Sequence, residues 1–232
     1  MNTSISASNH FNDNWADYQE AVTGNTLYHR EMSATLRAFI KEKFGSTPIV
    51  FVDAGCGDCS TVVPVLSEIV LTQFIGIDGA PDVLRLAEEN CGPLNCNKSF
   101  ICASMLDAIS DLPSAADIIY TSYAAHHLTY EEKIRFIQAC QDKLNTNGCL
   151  IMVDGILNDN QTRDEWLDEL ESRMRKTTTA SEEEIKLRME HPRADDFPES
   201  LRTFKDIAQT QGWQDFSVLF HQEIYAFMVF AK

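Results

Sequence analysis

Long apolar runs are missing from these 232 residues, and with them any helix able to cross a bilayer, which needs about 20 consecutive apolar residues. Basic residues are scarce too. Nineteen Lys and Arg stand against 35 Asp and Glu, a formal charge of −16, and no basic cluster exceeds two or three residues. That balance weakens any reading that needs the cationic surface a nucleic-acid backbone demands, and favours small substrates. The start of the chain lacks the basic, apolar and small-residue order of a secretory signal, because Met1 to Asn14 is polar and rich in Ser and Asn. A cytoplasmic location is the expectation. The seven cysteines are an odd number, and Cys56, Cys102 and Cys149 lie on or beside predicted buried strands, where a thiol acts as a small hydrophobe and stays reduced. No metal-ligand spacing is visible: Cys91, Cys96 and Cys102 have no second pair or histidine beside them, so no metal is expected. Cys56-Gly57-Asp58-Cys59 has redox spacing without a redox context and reads better as part of a glycine loop.

What is present centres on residues 49 to 58, Ile-Val-Phe-Val-Asp-Ala-Gly-Cys-Gly-Asp. An apolar run rich in Val and Ile predicts a buried strand of a parallel sheet, and two glycines one residue apart let the backbone turn sharply and approach a ligand. A second apolar run, Phe74 to Ile77, ends on Asp78, about twenty residues on, where an acid can accept hydrogen bonds from ribose hydroxyls. Two details point away from NAD. Ser60 stands where the dinucleotide fingerprint wants its third glycine, and Asp53 puts a carboxylate where a pyrophosphate would lie. A cationic cofactor without phosphate tolerates that acid.

From about residue 11 to 232 the chain resembles the class I S-adenosylmethionine-dependent methyltransferases. The resemblance rests on the acid-x-Gly-x-Gly loop at Asp53 and on Phe100 to Asp107 as third strand and exit turn. It rests also on Asp117 to Leu128 with its His-His-Leu ending, Leu144 to Asp154 as a glycine turn into a fifth strand, and the closing Gly212-Trp213 turn with two strands. It implies an α/β fold: a Rossmann-like sheet of about seven strands, mostly parallel with an antiparallel C-terminal strand, helices on both faces, N-terminal lid helices and a helical cap between strands five and six.

The resemblance also implies the site. S-adenosylmethionine would be held by Asp53, Gly55 and Gly57 at its methionine end, Asp78 and Gly79 at the ribose, Ser104 and Met105 at the adenine, and Ser122, with Tyr18 and Arg30 reaching over from the lid. Ser104 replaces the usual Asp and can accept from the adenine amino group without charge. S-adenosylhomocysteine would be the product. His127, with His126 beside it, sits where a base for the acceptor would stand, and Tyr123 and Asp154 are acceptor-side candidates. A sulfonium carries an activated methyl group, so placing the acceptor lone pair in line behind it supplies most of the acceleration. Plain packing roles for the aromatics and a backbone hydrogen bond for the histidine stay open, as do a SAM-binding scaffold without turnover and an NAD-dependent oxidoreductase.

Periodicity, with the lid role that the resemblance implies, divides the chain into a helical lid over 1–48, a core over 49–154, a cap over 155–200 and a closing helix with strands over 201–232. Within the cap, Trp166, Leu167, Leu170 and Met174 repeat at helical spacing, and Ser181 followed by three glutamates opens a second helix that ends at His191-Pro192. Mixed charges around Arg173, Arg175 and Lys176 predict a solvated face. Apolar residues on lid or cap suit homodimer contacts.

Overall fold

The computed structural model describes Glu20 and residues 22–232; Tyr18, with Phe11 and Trp15, lies outside them. In chain order the elements are α1 (His29–Phe44), β1 (Ile49–Ala54), α2 (Val63–Leu66), β2 (Leu71–Asp78), α3 (Pro81–Asn90), β3 (Asn97–Cys102), α4 (Met105–Ser110) and β4 (Ala116–Ser122). A 3₁₀ turn (Ala125–His127) leads to α5 (Tyr130–Lys143), β5 (Leu144–Leu157), α6 (Arg163–Thr177), α7 (Glu182–Arg188), α8 (Glu190–Asp195), β6 (Glu199–Ser200), α9 (Leu201–Thr210), β7 (Asp215–Gln222) and β8 (Tyr225–Ala231).

The sheet runs β3-β2-β1-β4-β5-β8-β7, with β6 paired to β5 off that path. Only β8 opposes the others, pairing antiparallel with both β5 and β7. The central strands read as unbroken apolar runs because helices cover both faces. Neighbouring residues therefore enter opposite cores. Phe51, Phe74 and Ile118 meet Met32, Leu36 and Ile40 of α1 on one face, while Val52, Ile75 and Ile119 meet Phe136 and Ile137 of α5 and Phe204 and Ile207 of α9 on the other.

The cap departs from the sequence expectation in detail. Thr162 and Ser181 close capping boxes at the starts of α6 and α7, as their spacing to Glu165 and Glu184 suggests. His191-Pro192 does not end the helical run: a short third helix, α8, carries both residues. Pro192 is tolerated there because N–H groups in a first helical turn have no intrahelical acceptor. The fifth strand also extends to Leu157, and its Gly155 packs under Trp166 of α6, where an added Cβ would come within 2.8 Å of the indole.

Arg173 is a second correction. Its side chain is mostly buried, lies 5.6 Å from the ring centre of Tyr28 and 5.3 Å from that of Tyr225, and pairs with Glu223. Tyr28 Oη also donates to Glu223, at 2.9 Å. Arg175, by contrast, has the half-exposed ion pairs with Glu171 and Glu182 that the charge pattern suggests.

Candidate active site

The strand order reverses between β1 and β4, because β1 has β2 on one side and β4 on the other. Ligands of open α/β sheets bind at such a switch point, outside the carboxyl ends of the strands. Here the loop after Ala54 meets the turn after Ser122. Gly55, at φ +77°, leaves no room for a side chain, since a Cβ would stand 2.5 Å from that of Ala124.

The glycine loop is held from β2. Gly55 and Cys56 N–H groups donate to Ile77 O at 2.8 and 2.9 Å, and Gly57 N–H donates to Asp78 Oδ2 at 3.0 Å. Asp78 Oδ1 accepts from Ala80 at 2.9 Å, so this carboxylate shapes the loop as well as standing at its rim. Burial raises the Asp78 carboxyl, opposed by these bonds and by the charge of His127. Asp53 is fully enclosed, and burial with the charge of Asp78 pushes it up to about 8. Asp58 closes the loop with bonds to Ser60 N and Oγ at 3.0 and 2.8 Å. A hydrogen bond with Cys59 lowers the Cys56 thiol, yet burial and the charges of Asp53 and Asp78 outweigh it and push it up to about 11, which leaves it without thiolate reactivity near neutrality.

Gly79 is exposed beyond Asp78. Ser104 and Met105 are half-buried at the start of α4, next to Ala103, whose N–H donates to Asp78 O at 3.1 Å. The Ser104 hydroxyl does not cap that helix. Ser122 ends β4, and Tyr123 follows at φ +51° with its hydroxyl donating to Leu27 O and its ring 4.8 Å from that of His29. Arg30 is exposed and donates to Thr23 O at 3.2 Å, so its neighbour His29 is the residue that α1 turns inward.

Beyond Tyr123 lies a dense polar cluster. Asp154, considered above as an acceptor-side residue, is instead committed to His126: Oδ1 stands 2.5 Å from Nδ1 and Oδ2 accepts the His126 backbone N–H at 2.8 Å. Asp196, from the segment after α8, brings Oδ1 to 3.1 Å from His127 Nδ1, 3.7 Å from His126 Nε2 and 3.8 Å from His191 Nε2. Burial opposes the charge on His126, yet Asp154 and Asp196 outweigh it and raise the ring to about 9. That upward direction disfavours His126 as the base. Burial also works against the Asp196 carboxylate, and the charges of His126, His127 and His191 hold it well below the usual range.

The cluster is pinned from outside. Phe197 N–H donates to His126 O at 2.7 Å, and the Arg163 guanidinium donates to the carbonyls of Asp196, Pro192 and Arg193. Lys133 is buried and donates to Leu128 O and Phe197 O; burial lowers it to about 8 despite Asp154, Glu199 and Asp196 nearby. Sequence reading missed Asp196, His191 and Lys133. The run Ala194-Asp195-Asp196-Phe197 carries no periodic signal, and its partners lie about seventy residues upstream.

Residues 51–148 match the family described as the methyltransferase domain. An uncharacterised methyltransferase of Halobacillus halophilus, YrrT, is 26% identical over 149 residues, covering 64% of this chain and 67% of its own. Among solved structures, the plantazolicin methyltransferase BpumL in complex with a monoazolic desmethylPZN analog and SAH superposes with a TM-score of 0.71 at 14% identity, over 99% of this chain and 94% of that one. The magnesium protoporphyrin IX methyltransferase ChlM from Synechocystis PCC 6803, with bound SAM, gives 0.66 at 11% identity over 100% and 98%. At such identities the structural likeness speaks to the shared fold.

Proposed function

Because the chain is a class I S-adenosylmethionine-dependent methyltransferase, we propose that it delivers the methyl group in line to a small-molecule acceptor seated against His126, His127 and Asp196. The observation that carries this reading is the placement of that cluster at the exit of β4, across the switch point from the glycine loop and close enough for the charge of His127 to be felt at Asp78. A net charge of −16 supports a small acceptor over a nucleic acid.

On this reading Asp53, Gly55 and Gly57 border the methionine end, Asp78 with Gly79 the ribose, and Ser104 with Met105 the adenine. A carboxylate offers about four lone-pair directions, so Asp78 can hold the loop and still accept from ribose hydroxyls. The bound cofactor supplies an activated methyl on a sulfonium. The protein's share is alignment: Asp154 fixes His126, Asp196 stands against His127, and both present the acceptor's lone pair.

Parallel calorimetric titrations with S-adenosylmethionine, S-adenosylhomocysteine and NAD test the cofactor assignment. Saturable binding of the first two alone is expected, and binding of NAD alone would overturn it. Once an acceptor is in hand, His127→Ala should lower kcat by about 10²-fold or more at unchanged S-adenosylhomocysteine affinity. Undiminished turnover would return the residue to a packing role.

A further inference from the structure

The polar cluster has the dimensions of a coordination site. His126, His127 and Asp196 each offer one ligand atom, and these atoms all lie within 4.8 Å of one another. The 3.1 Å between Asp196 Oδ1 and His127 Nδ1 matches adjacent corners around a first-row metal ion, and the 3.7 Å to His126 Nε2 is a few tenths of an ångström wider. With bonds of about 2.0–2.1 Å, such corners stand about 2.9 Å apart in an octahedron and about 3.3 Å apart in a tetrahedron. His191 Nε2, 3.8 Å from the same oxygen, is placed as a fourth donor.

Hydrogen bonding alone does not account for the arrangement. His127 Nδ1 and Asp196 Oδ1 are both buried and face one another at 3.1 Å as an ion pair, and among the described residues neither atom has a further hydrogen-bond partner. One contact leaves most of the bonding capacity of these two buried atoms unused, and an ion between them would use both. The outer shell is also that of a metal centre. Asp154 grips His126 through Nδ1 and so turns Nε2 towards Asp196, the carboxylate–histidine–metal relation that orients ligating imidazoles. The backbone of Asp196 is clamped by Arg163.

We infer that His126, His127 and Asp196, with His191 beside them, bind one divalent first-row transition-metal ion. The mixture of imidazole and carboxylate donors suits zinc, iron, cobalt or manganese over magnesium or calcium, which prefer oxygen alone. Three protein ligands leave a position open on a four-coordinate ion, and four leave one on a five- or six-coordinate ion, so the acceptor is a molecule with a metal-binding hydroxyl, amine or carboxylate. The choice of acceptor rests on the methyltransfer reading; the ion itself does not. His127 then activates the acceptor through the ion.

The test uses the full chain without an affinity tag, stripped with a chelator and titrated with Co²⁺ and, separately, Zn²⁺. One tightly bound equivalent is expected, with Co²⁺ bands of a nitrogen and oxygen environment. Asp196→Asn should abolish uptake, and Asp154→Asn should weaken it about 10- to 100-fold. Circular dichroism establishes that each variant is folded, and X-ray absorption of the Zn²⁺-loaded natural chain reads the ligands without any substitution. Failure of the natural chain to take up either ion, a thiolate shell, or full uptake by folded Asp196→Asn would each overturn the site. S-adenosylhomocysteine binding, measured on the same samples, reports separately on the methyltransferase reading.

Discussion

Asp78 engages the glycine loop with Oδ2, at Gly57, and its own exit turn with Oδ1, at Ala80, so truncating it removes two charge-assisted bonds together with any ribose contact. Asp78→Ala should weaken S-adenosylhomocysteine binding by about 1–3 kcal/mol, read by calorimetry; unchanged affinity would remove it from the cofactor site. Asp53 makes a prediction of opposite character. Its carboxyl is held at about 8 in the fold, by burial first and the charge of Asp78 second. In the unfolded chain it titrates near its ordinary value of about 4. Between those values the unfolded chain has released a proton that the folded one retains. Stability therefore falls as pH rises through the window, by up to about 1.4 kcal/mol per pH unit for this group. Denaturant midpoints from pH about 5 to about 8 should show a decline that Asp53→Asn flattens. Both acids were legible from their places after apolar runs, because a strand end followed by glycine is a local pattern. Asp196 was not, since nothing local separates it from the exposed acids around it.

At the scale of elements, Arg173 joins three pieces that are far apart in the chain: α6, the segment around Tyr28, and the turn between β7 and β8. Arg173→Ala removes the ion pair and two cation–π contacts and should cost about 1–2 kcal/mol. The loss should concentrate in the cap, so hydrogen exchange over 163–195 should quicken more than over β1 or β4. Uniform protection would mean that the other contacts of the cap, Trp166 on Gly155 and the buried Leu167, Ile185 and Met189 among them, hold it without Arg173. The helices of this region were legible from capping residues and apolar spacing. Their company was not, because the mixed signs around Arg173 describe only its own helix, whereas burial comes from Tyr28 and Tyr225.

For the whole molecule, an excess of sixteen negative charges makes the compact state repel itself. Raising salt from low to near-molar concentration shortens the Debye length from about 30 to about 3 Å and should raise Tm by several degrees. A Tm that falls with salt would mean that specific ion pairs outweigh the net repulsion. The sequence by itself determined the α/β class, the parallel strands, the glycine loop with its two acids, and the helical character of the cap. These depend on periodicity and spacing over a few residues, which short-range sterics and burial dictate. Tertiary structure alone decided that His126 is locked by Asp154, that Asp196 and His191 meet the His-His turn, and that Arg173 is buried. Those contacts depend on where loops from distant strands are brought to the same end of the sheet, and no pattern along the chain encodes that distance.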